Sequence, residues 1–223
     1  WYSDWSGTGD DMNNQLRGIP DSMDLVSLWG GAFNLTEAQK SDLKEVREKK
    51  GTRILYCQHI MDIGRSMTPA SVENDHIVDG VQYNSYEEAM AAYWGWYATG
   101  NHPTYNNHYG DGSPEGIEAA IRKYAQVIAD SVNKYDYDGF DIDYEPGYGH
   151  SGTLANYQTI SPSGNNKMQV FIETLSARLR PAGRMLVMDG QPDLLSTETS
   201  KLVDHYIYQA YWESSTSSVI YKI

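Results

Sequence analysis

Tyr137-Asp138-Gly139-Phe140-Asp141-Ile142-Asp143-Tyr144-Glu145 is the stretch from which the fold is read. Side chains alternate along a β-strand, so in an extended chain Asp141, Asp143 and Glu145 share one face while Phe140, Ile142 and Tyr144 share the other. Neighbours on one face lie about 6.5–7 Å apart, close enough for carboxyl groups leaning together to share a proton or a hydrogen bond. Three bare negative charges at that spacing repel, so at least one is expected to stay protonated near neutral pH, as a general acid must. Gly139 allows a neighbouring strand or side chain to come close, and Pro146 with Gly147 ends the strand. Glu145 is thereby left at the carboxyl end, where parallel α/β folds keep their active sites. On the pattern alone a metal site and a structural acidic cluster stay open beside catalysis. An EF-hand loop wants polar residues and glycine at fixed positions with a Glu at the twelfth, whereas Phe, Ile and Tyr alternate with the acids here.

Around this stretch, 223 residues with 40% apolar content are enough for one sizeable core, and residues 1–223 are read as one domain. Seventeen Lys and Arg against thirty Asp and Glu give a formal charge of −13, which disfavours nucleic acid and anionic membrane as partners. Eighteen Tyr and six Trp beside three Phe favour rings with a polar handle, as sugar sites do, although any single one is better explained by the core or the surface. The lone Cys57 excludes an internal disulfide. No 18-residue apolar run is present, so no membrane insertion is expected. No signal peptide opens the chain, and the start at Trp1 is read as leaving an upstream segment out.

Strands and helices alternate on either side of the acidic stretch. Met23 to Trp29 is an apolar run closed by Gly30-Gly31 and predicts a buried strand. Leu35-Thr36-Glu37 leads into an amphipathic helix with Leu43 and Val46 on one side and Gly51 as its stop. Thr52 to Ile60 is the next strand, giving a parallel β-α-β unit in which Cys57 reads as a small buried residue and His59 as either a ligand contact or a core histidine. Met61 to Tyr109 is a long irregular segment, either a substrate wall or a cap on the core. Ser85 and Glu88 start a helix within it that runs to about Tyr97 and is ended by Gly100 and Pro103, ahead of a loop bearing Tyr105, His108 and Tyr109. Ser113-Pro114-Glu115 opens a helix whose stripe Ile117, Ala120, Ile121, Tyr124, Ile128 and Val132 faces the core and feeds the acidic strand. A polar loop from Gly147 to Gly164 follows, then a helix from Lys167 to Arg180 stopped by Pro181-Ala182-Gly183. Arg184 to Gly190 predicts a strand with Asp189 near its end, Leu195 to Leu202 a short helix, and His205 to Trp212 a strand with Ile207, Gln209 and Tyr211 on one face. Val219 to Ile223 is a candidate seventh strand.

The eight residues from Asp138 to Glu145 resemble the DGxDxDxE signature of glycoside hydrolase family 18, the chitinases and endo-β-N-acetylglucosaminidases, at all four acidic positions and the glycine. The resemblance implies a (β/α)8 TIM barrel. About six strands are visible, counting Trp1 to Trp5 as the tail of the first, so the barrel is expected to be partial with strands lying outside the chain. Tyr56-Cys57-Gln58-His59 departs from the Ser-x-Gly-Gly of many family chitinases, while Gln209-Ala210-Tyr211 is similar to a Gln-x-Tyr pair of its endo-β-N-acetylglucosaminidases. The implied activity is retaining hydrolysis of the GlcNAc-β1,4-GlcNAc core of N-linked glycans, assisted by the substrate's own acetamido group. Glu145 would be the proton donor, Asp143 would orient the acetamido N–H, and Asp141 would share a proton with Asp143. Gln209 and Tyr211 would hydrogen-bond the acetamido group, and Asp138 would be structural. Trp212, Asp189, Trp29 and Tyr2 are assigned to substrate contact. No metal or organic cofactor is implied. The expected partner is an N-glycan or another GlcNAc-containing glycan, met by a monomer that is secreted or at the cell surface or periplasm. A chitinase and a catalytically silent glycan-binding protein are the alternatives, and lectins of this scaffold usually lack the residue that Glu145 supplies.

Overall fold

Strands joined through helices pair in parallel, because the crossover returns the chain to the same end of the sheet. In the computed structural model, which describes residues 2–9, 12–29, 33–64, 66–95, 114–146, 150, 152–155, 166–192, 195–211 and 213–222, that rule builds the main sheet. Its strands are β1 (Leu25–Trp29), β2 (Arg53–His59), β5 (Gly139–Tyr144), β6 (Met185–Gly190) and β7 (His205–Tyr208), all parallel and in that spatial order. Tyr2 bridges Leu28 beyond β1, so the tail of a further strand is present at that edge. The helices are α1 (Glu37–Lys50), α2 (Ala70–Glu73), α3 (Tyr86–Trp94), α4 (Pro114–Lys134), α5 (Lys167–Leu179), α6 (Thr197–Ser200) and α7 (Thr216–Lys222). Strands and helices together form part of a (β/α) barrel.

The two faces of the sheet have different occupants. Val26, Leu28, Ile54, Tyr56, Phe140, Ile142, Tyr144, Leu186 and Met188 enter one apolar cluster with Leu43 and Val46 of α1, Tyr124 and Ile128 of α4, and Phe171 and Leu175 of α5. Complete burial of Phe140 and Ile142 contributes about 1.5–3 kcal/mol each, which fixes the register that turns the acids the other way. Leu55, Cys57 and Val187 are buried on the opposite face, beside Asp141, Asp143 and Asp189. Gly139 sits where a Cβ would lie 2.3 Å from the Met185 carbonyl oxygen and 2.9 Å from a Leu55 methyl, so the strands close up there only because no side chain intervenes.

Helix and strand ends follow local chemistry. Thr36 and Gln39 form a capping box at the start of α1, and Gly51 closes it at φ +71°. Asp138 works as a structural acid at the amino end of the sheet. Its Oδ2 accepts from the Ile54 N–H at 2.9 Å and its Oδ1 pairs with Arg47 at 3.0 Å, which ties β5 to β2 and α1. Asp204 repeats the device, accepting from the Leu186 N–H at 2.8 Å while pairing with Arg180.

Several expected boundaries move. The segment expected to be irregular contains α2 and a hairpin of β3 (Ile77–Val78) and β4 (Val81–Gln82). Its two-residue turn, Asp79-Gly80, has φ of +49° and +80°, the geometry for which Asp-Gly is favoured. Helix α3 stops at Trp94 and not near Tyr97, because Gly95 takes φ +93° and donates back to the Ala91 carbonyl. Tyr97, Gly100, Pro103, Tyr105, His108 and Tyr109 lie outside the described residues, as do Trp212 and most of the loop after Pro146. Helix α6 is shorter than Leu195 to Leu202, since Ser196 caps it by accepting from the Thr199 N–H. The candidate seventh strand is instead the helix α7. Ser215 accepts from the Ser218 N–H at 3.2 Å, and a Ser/Thr run with that turn starts a helix before the β-branched residues can extend. Among the described residues no helix is long and apolar enough to cross a membrane.

Candidate active site

Alternation along β5 carries Asp141 and Asp143 onto the face away from the helices, and Glu145 follows at the carboxyl end of the strand. Parallel register then sets their neighbours. Cys57 lies opposite Asp141, His59 opposite Asp143 on one side, and Asp189 opposite Asp143 on the other. Gly190, at φ +101°, lets the end of β6 press against Tyr144, where a Cβ would stand 2.2 Å from the Tyr144 carbonyl oxygen. Gln209 leaves the end of β7 with its N–H still bound to the Gly190 carbonyl, which turns its side chain toward the acids.

The carboxyl groups form two sets. Asp141 is fully buried and accepts from the Ser27 hydroxyl and the Cys57 thiol. Burial pushes its proton affinity up, to about 6, and those two donors hold it from going higher. Asp143 is buried beside Asp189, Glu145 and Gln209. Burial again raises it most, to about 7. The hydrogen bond with Asp189 opposes the rise, the charge of Glu145 and the hydrogen bond to it add to the rise, and Gln209 opposes it. Gln209 Nε2 donates to Asp143 Oδ1 at 2.9 Å and to Asp189 Oδ1 at 3.0 Å, bridging adjacent strands. Asp143 therefore shares its hydrogen bonds across the sheet with Asp189 and onward with Glu145, and the expected sharing between Asp141 and Asp143 is not what forms. The reason is geometric. Cross-strand partners in register stand about 5 Å apart, closer than residues two apart along one strand.

Glu145 is at the mouth, its side chain 16% exposed, with His150 Nε2 at 3.2 Å from its Oε2. Tyr144 Oη donates to the Leu154 carbonyl at 3.0 Å, and the Leu154 N–H donates to the carbonyl of Met61, two residues past the end of β2. His59 meets His150 edge-on, with ring centroids 4.6 Å apart. The Cys57 thiol is held protonated by burial and by the surrounding carboxylates, so it serves as a donor and not as a nucleophile.

The other expected contacts fall at the rim or apart from it. Tyr211 is 58% exposed and lines an open groove of about 310 Å³ with Leu25, Ser27, Ile207, Tyr208 and Gln209. Strand β7 ends at Tyr208, and the turn that follows runs from Ala210 to Glu213, with the Glu213 N–H on the Ala210 carbonyl. Ile207, Gln209 and Tyr211 thus share one groove, with Gln209 buried against the acids and Tyr211 exposed at the rim. Trp29, 37% exposed, stands at the carboxyl end of β1, and Tyr2 beside it donates its hydroxyl to the Asn13 carbonyl. Ser27 and His150 belong to the site although neither was singled out from the sequence. A polar residue inside the apolar run of β1 was the signal for Ser27, and His150 had none.

The sequence profile of glycoside hydrolase family 18, BT1044-like, matches residues 1–100 and 96–223. The chain belongs to glycoside hydrolase family 18. A selenomethionine form of BT1044 carrying a glutamate-to-glutamine substitution is 56% identical to this family 18 chain, with a TM-score of 0.75 over 100% of the chain and 59% of that structure. The apo endo-β-N-acetylglucosaminidase of Cordyceps militaris aligns at 17% identity and TM-score 0.49, covering 99% of this chain and 59% of the other. A doubly substituted form of the same fungal protein, in complex with fucosyl-N-acetylglucosamine-Asn, aligns at 16% identity and TM-score 0.48 over 100% and 58%. The family 18 chain thus spans about three fifths of the length of these solved structures. No match to a curated protein was found.

Proposed function

We propose that this family 18 chain supplies the catalytic acids of a retaining endo-β-N-acetylglucosaminidase that cuts the GlcNAc-β1,4-GlcNAc core of N-linked glycans. The observation that carries the proposal is the linked set Gln209, Asp189, Asp143 and Glu145, which runs from a buried amide donor to a mostly buried carboxyl group at the mouth of the sheet. Glu145 protonates the glycosidic oxygen and afterwards takes a proton from water. Asp143 orients the acetamido N–H of the sugar, so that the acetamido carbonyl oxygen attacks the anomeric carbon and an oxazolinium ion forms. Ionised Asp143 then balances the positive charge, and Gln209 and Asp189 set how readily it ionises. Tyr211, on the groove shared with Ser27 and Gln209, hydrogen-bonds the acetamido group. With no covalent adduct to the protein, the rate comes from positioning and from fixed charges.

The glycan specificity, the extracellular or periplasmic location and the monomeric state belong to the same proposal. Departure from the chitinase-type Ser-x-Gly-Gly at Tyr56 to His59, together with Gln209-Ala210-Tyr211, favours N-glycan over chitin. The test is incubation with high-mannose and complex N-glycoproteins and with chitin oligomers, reading released masses. Release of a glycan bearing one reducing-end GlcNAc supports the proposal, and cleavage of chitin oligomers alone contradicts it.

A further inference from the structure

We propose that His59, Glu145 and His150 form a zinc-binding site at the mouth of the sheet, and that zinc held there takes the proton donor out of use. The three residues come from different places, the end of β2, the residue after β5 and the returning loop, and their ligating atoms all lie within 4.8 Å of one another. Register explains the convergence, because His59 is paired with Asp143 and so stands beside the residue two positions further on. His150 Nε2 and Glu145 Oε2 are already 3.2 Å apart. Tetrahedral zinc with bonds of about 2.0–2.1 Å needs donors about 3.3 Å apart, so only a small inward movement of His59 is required. The imidazole planes cross at 68°, so the rings meet edge-on and are not stacked face to face.

Two imidazoles and one carboxylate suit zinc, while magnesium and calcium want oxygen donors alone. The His150 side chain is 46% exposed, which gives an ion a way in and leaves a fourth position for water. A second group of potential ligands, Cys57, Asp141 and Asp189, is wholly buried with its thiol bound to Asp141, and offers no such approach. Zinc binding needs only the three donors at the mouth. Inhibition by zinc rests on the hydrolase reading above.

Zinc chloride is titrated by calorimetry into chelator-treated protein, with His59→Ala, His150→Ala and Cys57→Ser alongside, each checked by circular dichroism. One zinc per chain is expected, weakened at least about tenfold in either histidine variant and unchanged in Cys57→Ser, with no heat from magnesium or calcium. Cobalt(II) added to the unmodified protein is expected to give visible bands of a tetrahedral site without an intense sulfur charge-transfer band. No binding, binding that survives both histidine changes, or binding lost in Cys57→Ser overturns the site. In the glycan-release assay, inhibition by zinc that a chelator reverses supports the second half of the proposal. Undiminished release with zinc bound overturns that half. Absence of release from zinc-free protein overturns the hydrolase reading and the inhibition with it, while the calorimetric result stands.

Discussion

Replacing Asp143 by asparagine is expected to stabilise the protein at neutral and alkaline pH. An asparagine keeps the oxygen that accepts from Gln209 Nε2 at 2.9 Å and presents an N–H toward Asp189 or Glu145, so it mimics the protonated acid. Unfolded Asp143 ionises in the ordinary range near 3.8, whereas burial and Glu145 raise the folded group to about 7. Between those values the folded state binds more protons than the unfolded one, so this group's contribution to stability is greatest below about pH 4 and is lost as pH rises toward 7. At about 1.4 kcal/mol per pKa unit the full loss is on the order of 4 kcal/mol, an upper bound for a group that shares its proton with neighbours. The uncharged amide carries no such penalty. For a chain of this size each 1 kcal/mol moves Tm by about 2–4 °C, so Asp143→Asn should melt roughly 10 °C above the parent at pH 8. The difference should shrink steadily toward pH 4. Thermal melts of both proteins from pH 4 to 8 check this, and a Tm difference that is flat with pH or that turns against the variant as pH rises refutes the account of Asp143.

Gln209→Ala removes a donor from two buried carboxyl groups and should cost about 2–3 kcal/mol in urea unfolding, while moving the acid limb of any glycan-release profile to higher pH, because Asp143 loses a partner that favours its ionised form. Gly139→Ala forces a methyl group against the Met185 carbonyl and should lower stability by about 3 kcal/mol or leave insoluble protein, read from expression and melting. Asp138→Ala strips the Ile54 N–H and Arg47 of their partner, so a Tm lower by about 4–8 °C is expected, with glycan release per folded molecule unchanged.

The parallel sheet was legible in the sequence because period-2 alternation in Phe140 to Glu145 and period-3.6 stripes such as Ile121, Tyr124 and Ile128 answer to burial, which is a local signal once one face is greasy. Caps were legible for the same reason, as Thr36 and Gly51 show. What failed to show is set by chain segments distant in sequence. The partnership of Asp143 with Asp189 depends on the β5 to β6 register, between strands far apart along the chain, and strand alternation alone pointed to Asp141. Tyr211 shares a groove with Ile207 and Gln209, as alternation suggests, but its exposure at the rim beyond the end of β7 does not follow from that pattern. Asp79-Gly80 did carry a hairpin signal, but its flanking strands are two residues each, too short for alternation to register. His150 stands 3.2 Å from Glu145 without belonging to any helix or strand, and no sequence pattern encodes that pairing.

The central claim is that Glu145 is the proton donor of the proposed hydrolysis, and Glu145→Gln tests it most directly. The amide preserves shape and removes the transferable proton, so glycan release from an N-glycoprotein, followed by mass spectrometry, should fall at least about a hundredfold with Tm nearly unchanged. Release at the parental rate by the folded variant contradicts the account.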